Sequence, residues 1–177
     1  PFRRRLWGKT AMACVLKYIP IAVSSPKRRI NGNFTSPKNL PHWNSPPTFM
    51  INTDNDRLAQ TLGFETIEQQ FGFARARAVA RPEFLNGLGI AHGGFLYSLA
   101  DFTLALAANT AETSAVSASA TINYISPCPE GATVIAEARA VCLEKKTGLF
   151  DVRIYGDSPE HPYAIFQARA IFKPIAK

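Results

Sequence analysis

The sequence predicts an α+β fold in which an antiparallel sheet packs against one long helix. Two observations support this prediction. A glycine-rich turn at residues 86–94 runs directly into an apolar stretch long enough for a helix of about four turns. On both sides of it, segments alternate apolar and polar residues, as half-buried strands do, and turn residues separate them.

Three elements are expected before the long helix. The acidic and amide residues 54–56 can cap a short helix that continues to about Leu62. Residues 64–80 are expected to form two strands that separate at Gly72, because small apolar residues alternate there with arginines. Residues 82–92 contain proline and glycine and are expected to form a loop.

Four strands are expected after the helix, joined as a meander. Turn residues at 146–148 and 156–159 favour hairpin connections. One face of the later strands is rich in alanine, which lets a helix lie close against the sheet. The four predicted strands are 114–125, 133–143, 150–155 and 164–172.

The long helix is expected to span about Gly93 to Asn109 and to carry two stripes. One stripe is predicted to pack into the core and holds Phe95, Leu99, Phe102 and Leu106. The other holds Gly94, Tyr97, Ser98, Asp101, Ala105 and Ala108. A helix that is apolar on nearly every face is normally buried, and an unpaired buried carboxylate is costly. Asp101 is therefore predicted to be paired, protonated or functional.

The start of this helix predicts a carbonyl-binding site. Backbone N–H groups at Gly93 and Gly94 are expected to lack helical partners and could hold a carbonyl oxygen as negative charge develops on it. Asp101 could act as base or nucleophile at the carbonyl carbon. It lies eight residues beyond Gly93, roughly 12 Å along the axis. Two antiparallel helices related by a two-fold axis would bring the groups together, so a symmetric dimer is expected.

Charge divides the chain at Met50. Residues 1–49 hold nine of the twenty Lys and Arg residues and no Asp or Glu, whereas residues 50–177 have a net charge of −2. Residues 1–49 are interpreted as a disordered tail or translated upstream sequence, a mitochondrial transit peptide, or a basic arm. Residues 50–177 are predicted to form one domain. Its slightly acidic character gives no case for nucleic-acid binding.

Other patterns exclude several function classes. No apolar stretch approaches transmembrane length. The three cysteines and His92 show no metal-ligand spacing, so neither a metal nor another cofactor is expected. The turn at Gly87 begins like a dinucleotide-binding motif but reaches His92 where glycine is required. Reduced cysteines favour the cytoplasm, with mitochondria as the alternative if residues 1–49 are a transit peptide.

Three segments of the sequence together resemble the hotdog-fold acyl-CoA thioesterases of the phenylacetate-degradation type. They are the run Asn86-x5-His92-Gly93-Gly94-x6-Asp101, residues 119–124 and residues 146–151. The resemblance extends from about Leu58 to Pro174. It implies a five- or six-stranded antiparallel sheet wrapped around one long central helix, with two subunits joining their sheets. It also implies an acyl-CoA or aryl-CoA substrate and a homodimer or homotetramer.

The resemblance implies roles for five residues at the helix start and on the helix. Asp101 would activate water or attack the thioester. The Gly93 N–H would polarise the thioester carbonyl, with Gly94 helping. Asn86 matches the side-chain amide that positions substrate or water, and His92 matches a loop histidine near the thioester.

Further substrate contacts are expected beyond this group. Ser117 matches a strand serine that contacts water or substrate in some relatives, with Ser119 as the alternative. Phe102 stands where a smaller polar residue is common and could alter the acyl pocket. Lys145 and Lys146 are candidates for the phosphates of coenzyme A.

Two other functions stay open on the same fold, since a fold does not fix a function. One is a non-catalytic acyl-CoA-binding protein, although binding alone does not need the Asp101 carboxylate. The other is a hotdog hydratase, which would need an Asp/His pair on one loop-helix segment. No histidine follows Asp101 until His161.

Overall fold

The structure, a computed structural model, describes residues 53–110 and 113–174. The predictions for residues 1–49 lie outside the described residues. No helix in the described part is long and apolar enough to cross a membrane. Its helices are α1 (Arg57–Leu62) and α2 (Gly93–Ala108), and its strands are β1 (Glu65–Gln70), β2 (Phe73–Val79), β3 (Thr113–Tyr124), β4 (Thr133–Leu143), β5 (Thr147–Tyr155) and β6 (Ala164–Pro174).

The six strands form one antiparallel sheet in the order β1-β2-β4-β5-β6-β3. The predicted four-strand meander is wrong for β3, because only β4, β5 and β6 follow one another in space. The segment after β3 contains two prolines and makes no hairpin. Instead, Cys128 accepts a hydrogen bond from Ala91 N–H, and Ala132 accepts one from Ala80 N–H, just beyond β2. These two hydrogen bonds hold the segment close to β2, so that β4 pairs with β2. Strand β3 therefore lies at the edge of the sheet, beside β6.

The core lies between α2 and one face of the sheet. Alternate residues of β2, β4, β5 and β6 point into it, and small side chains on β2 and β4 let the helix approach closely. The predicted alternation is confirmed in β2, β5 and β6 and in β4 as far as Ala140, but not in β1 or β3. A bulge after Ala140 turns the Cys142 thiol to the outer face. The largest fully buried core side chains include Phe150, Phe166, Leu99, Leu104, Leu106 and Ile154.

Helix α2 has one buried and one accessible side. The predicted core stripe is confirmed, since all four of its members are buried. On the other stripe Gly94 and Tyr97 are exposed, and Ser98, Asp101 and Ala105 are half-buried. Ala108, predicted on this stripe, is buried in the core instead. The helix is therefore not covered on every face within one chain.

Element ends differ slightly from the sequence prediction. Asp56 caps α1 as expected, accepting a hydrogen bond from Ala59 N–H at 2.9 Å. Helix α2 ends one residue early, because the side-chain oxygen of Asn109 accepts from Ala115 N–H at 2.7 Å and starts the turn into β3. Strand β5 begins at Thr147 rather than at 150, since the hairpin closes through Glu144 N–H and the Thr147 carbonyl.

Candidate active site

The loop before α2 is closed by its own backbone and by Asn86. The Asn86 side-chain oxygen accepts a hydrogen bond from Leu88 N–H at 2.8 Å, and the Asn86 N–H donates to the Ile90 carbonyl. Gly89 has φ +74°, a left-handed conformation that favours glycine. This tight turn fixes Asn86 beside the start of α2 with its acceptor oxygen already used. Among the described residues the side-chain N–H₂ of Asn86 has no hydrogen-bond acceptor.

His92 is the N-cap of α2, and its side chain reduces the number of free backbone N–H donors at the start of the helix. Its Nδ1 accepts the Gly94 N–H at 2.9 Å. The prediction that Gly93 and Gly94 both offer free N–H groups is therefore wrong for Gly94. Within the described residues, the Gly93 N–H has no acceptor. One backbone donor at the positive end of the helix is thus available to a substrate.

Tyr124, the last residue of β3, contacts the same glycine. Its hydroxyl donates to the Gly93 carbonyl at 2.9 Å. Burial, with a contribution from Tyr97, raises the pKa of Tyr124, which keeps the hydroxyl protonated and able to donate. A Cβ on residue 93 would lie 2.7 Å from the Tyr124 oxygen, so a side chain there would require the tyrosine ring to move.

Asn86, Gly93 and Tyr124 border a depression of about 400 Å³ at the start of the helix, called here the Gly93 pocket. Its lining is mostly apolar, with the Asn86 amide and the Tyr124 hydroxyl among its polar groups. The lining residues are Asn86, Ile90, Ala91, Gly93, Leu96, Tyr124, Ile125, Ser126, Pro127 and Cys128.

Asp101 lies in the middle of the accessible stripe and is paired. Ser117 Oγ donates to its Oδ1 at 2.7 Å, which leaves Oδ2 without a partner in the described part of the chain. A bulge between Ser117 and Ser119 turns the two serines to different faces of β3, and only Ser117 faces the helix. This geometry selects Ser117 over Ser119 as the neighbour of the carboxylate. A carboxylate held by one hydroxyl keeps an oxygen for water or for an electrophilic carbon.

Asp101 borders a second depression, of about 330 Å³, called here the Asp101 pocket. It is separate from the Gly93 pocket, and no residue lines both. Its lining residues are Asp101, Leu104, Ala105, Ala108, Asn109, Ala115, Val116, Ser117 and Ala170. A single chain therefore does not bring Asp101 and the Gly93 N–H together, as the spacing along the helix predicts.

The other predicted substrate-contacting residues lie in two different environments. Phe102 is buried in the core against Phe64, with ring centroids 5.5 Å apart, and lines neither pocket. Lys145 and Lys146 are exposed in the turn between β4 and β5. That turn lies at the same end of the sheet as the Asp101 pocket, because Ser117 pairs with Ala170 and Ala170 pairs with Gly148.

Sequence reasoning missed Tyr124 as a functional candidate. In the sequence it stands only at the end of the 119–124 segment that carries the resemblance. A tyrosine at the end of a strand and a Gly-Gly at the start of a helix give no local signal that they meet. The contact depends on β3 pairing with β6, which is the part of the topology that the sequence misassigned.

Comparisons with known proteins identify the family. Residues 88–162 match the thioesterase superfamily. The acyl-coenzyme A thioesterase PaaI of Escherichia coli is 33% identical over 117 residues, which are 66% of this chain and 83% of that protein. The structure of the E. coli PaaI protein, described as from the phenylacetic acid degradation operon, matches with a TM-score of 0.64 and 32% identity, over 70% of this chain and 87% of that chain.

An archaeal relative is covered less completely. A putative esterase of Archaeoglobus fulgidus is 35% identical over 96 residues, which are 54% of this chain. The match spans 62% of that protein, less than two thirds of its length.

The fold is that of a hotdog protein, and the hotdog fold predicted from the resemblance is confirmed. The chain belongs to the thioesterase superfamily, and the resemblance to the phenylacetate-degradation type is confirmed by its similarity to PaaI. The prediction that it is a thioester hydrolase is confirmed at the level of this family.

Proposed function

We propose that the protein hydrolyses an acyl-CoA or aryl-CoA thioester to the free acid and coenzyme A. The observation that carries this proposal is the pair of complementary groups on the accessible stripe of α2. Gly93 offers an unpaired N–H at one end, and Asp101 offers a carboxylate with one free oxygen eight residues later. A thioester is already activated, so an oriented donor and a carboxylate suffice for its hydrolysis.

The reaction follows from these two groups. The Gly93 N–H donates to the thioester oxygen and stabilises the negative charge that develops there. In one version Asp101 takes a proton from water, whose oxygen bonds to the carbonyl carbon while the C–S bond breaks, and the departing thiolate is then protonated. In the other version Asp101 attacks the carbon itself and forms an anhydride while the C–S bond breaks and the thiolate leaves. Water then hydrolyses the anhydride, which frees the acid and the Asp101 carboxylate and releases the proton that the thiolate takes up.

The proposed site is shared by two chains. An α-helix rises 1.5 Å per residue, so eight residues separate the two groups by roughly 12 Å, whereas both must lie within about 3–4 Å of one thioester. A two-fold axis between antiparallel α2 helices would set the Gly93 pocket of one chain against the Asp101 pocket of its partner. The same axis generates a second, identical site.

The edges of the sheet support this assembly. Strand β3 has twelve residues, lies at an edge and contains no charged residue. The opposite edge, β1, is shorter, with six residues, and carries Glu65 and Glu68. Long uncharged edges pair with other strands, whereas short charged edges resist pairing. We propose that β3 pairs with β3 of a second chain in a homodimer. A homotetramer made of two such dimers stays a prediction.

Supporting roles are proposed for four other residues. The free amide of Asn86 would orient substrate or water in the Gly93 pocket, and His92 would hold the helix start in shape by capping it. Lys145 and Lys146 would bind phosphates of coenzyme A, since they are exposed at the end of the sheet that carries the Asp101 pocket. We propose a cytoplasmic location, with mitochondria as the alternative.

The experiment compares two carboxylate-to-amide variants. Asp101→Asn is expected to lower kcat by at least about 100-fold because the base or nucleophile is lost. Asp151→Asn is the matched control, since Asp151 accepts a hydrogen bond from Gln167 on the outer face of the sheet, and it should retain the parent kcat. Release of free thiol from a panel of aryl- and acyl-CoA thioesters is measured for both.

The same panel distinguishes the alternatives. An Asp101→Asn variant as fast as the parent would refute the role of Asp101. A parent that binds acyl-CoA without releasing thiol would point to a binding protein. Addition of water to an unsaturated acyl-CoA without thiol release would point to a hydratase.

A further inference from the structure

We infer that Tyr124 is a positioning residue that fixes the direction of the Gly93 N–H toward the thioester carbonyl. The inference rests on the proposed function and adds a residue to it. Tyr124 ends β3, and Gly93 begins α2, so their hydrogen bond ties the start of the helix to the end of an edge strand.

The need for such a residue follows from glycine itself. Glycine restricts its two backbone dihedrals less than any other residue, so a glycine N–H is a poorly directed donor unless its neighbouring peptide planes are held. A donor that already points at the oxygen on which negative charge develops stabilises that charge without any rearrangement of the site. The catalytic value of the Gly93 N–H therefore depends on what holds the planes on either side of that residue.

Both planes are held in this structure. The plane between Gly93 and Gly94 is fixed at two points, because Tyr124 donates to its carbonyl at 2.9 Å and His92 Nδ1 accepts its N–H at 2.9 Å. In the plane before Gly93, the His92 carbonyl accepts from Phe95 N–H at 2.9 Å. Of the four groups in these two planes, the Gly93 N–H alone has no partner among the described residues.

The Tyr124 ring also occupies the space that a side chain at residue 93 would need. A Cβ there would lie 2.7 Å from the hydroxyl oxygen and 2.8 Å from the ring carbon that bears it. Real Cβ atoms do not approach other atoms so closely, so one side must shift. Tyr124 therefore acts on Gly93 in two ways, by holding its carbonyl and by crowding the position that a Cβ would take.

The first test removes only the hydroxyl. Tyr124→Phe is expected to lower kcat about 3- to 10-fold, the value of one lost hydrogen bond, and to leave KM within about twofold, because the donor acts mainly in the transition state. Tyr155→Phe is the matched control. Tyr155 lies near Glu137 on the outer face, and removing its hydroxyl should leave kcat unchanged.

The second test measures the steric contact without any substrate. Alanine is a better helix former than glycine, so Gly93→Ala would stabilise an unobstructed helix start. Here it is expected to lower Tm by about 4 °C or more. In a Tyr124→Val background, which lacks the ring, the same substitution should leave Tm unchanged or raise it.

The outcomes separate the inference from the proposed function. Lower kcat in Tyr124→Phe with unchanged KM, together with the background-dependent Tm effect, supports the inference. A fully active Tyr124→Phe variant in an active parent overturns the inference and leaves the proposed function intact. A parent without thioesterase activity overturns the proposed function and the catalytic role of Tyr124 together. An equal Tm loss in both backgrounds overturns the steric contact.

Discussion

A lysine in the middle of β3 tests whether the sheet edge is a subunit interface. Ala118 is the sixth of the twelve residues of β3 and is exposed in the single chain. If two β3 strands pair antiparallel over their whole length, the two-fold axis passes close to Ala118. The substitution Ala118→Lys would then bring two ammonium groups within about 7 Å of each other, near the axis.

The size of this effect follows from Coulomb's law. At an effective dielectric constant of about 20, two unit charges about 7 Å apart repel by about 2–3 kcal/mol, which weakens a dimer by roughly 30- to 150-fold. Analytical ultracentrifugation is expected to show dissociation at concentrations where the parent is assembled. The kcat should fall in parallel, because each proposed site needs both chains.

A matched control adds the same charge to the other edge. Thr66→Lys on β1 lies at an exposed position of a strand that carries acidic residues, so it should assemble and react like the parent. High salt should partly restore the Ala118→Lys dimer, since it screens exposed charges. If Ala118→Lys sediments and reacts like the parent at low salt, β3 does not form the interface.

Two further predictions concern stability and the extent of the domain. Burial alone would raise the pKa of Glu137, but hydrogen bonds from Arg75 and Arg139 outweigh burial and lower this pKa. The ionised Glu137 therefore stabilises the folded state. This stabilisation is complete above the ordinary glutamate pKa and is lost as the pH falls through the lowered pKa. In urea titrations, Glu137→Gln should therefore be less stable than the parent at pH 7, and the difference should shrink as the pH is lowered below the ordinary glutamate pKa; a difference that stays constant over this pH range would refute this. A chain starting at Met50 should keep the Tm and kcat/KM of the full chain, because residues 1–49 are basic and proline-rich, and a stability loss above about 1–2 kcal/mol would contradict this.

Most of the fold could be predicted because its signals are local. The core stripe of α2 follows from helical periodicity, and the buried faces of β5 and β6 follow from strict alternation. The position of β3 could not be predicted in this way. Its connection to β4 is set by hydrogen bonds to residues far away in sequence, at Ala80 and Ala91.

In the candidate site, too, some features could be predicted from the sequence and others could not. The spacing between Gly93 and Asp101 is fixed by helix geometry, so the need for two chains could be predicted from the sequence. That His92 uses the Gly94 N–H could not, because it depends on the rotamer of one side chain. Phe102 could be placed on the core stripe by periodicity, but its expected effect on the acyl pocket has no counterpart in the linings of the two pockets.

The measurement that tests the shared site most directly is complementation between two inactive variants. Asp101→Asn removes the carboxylate. Asn86→Asp removes the amide donor of the Gly93 pocket and keeps the oxygen that accepts Leu88 N–H, so the loop should still fold. The two variants are co-refolded in equal amounts, and thiol release is compared with that of each variant alone.

If each site takes Asp101 from one chain and Asn86 from its partner, every mixed dimer contains one intact site and one site with both defects. Random pairing makes about half of the dimers mixed, so the mixture should recover about a quarter of the parent kcat per chain. Sites that lie within single chains would leave no intact site in any dimer. A mixture no more active than the two variants measured separately would contradict the shared site.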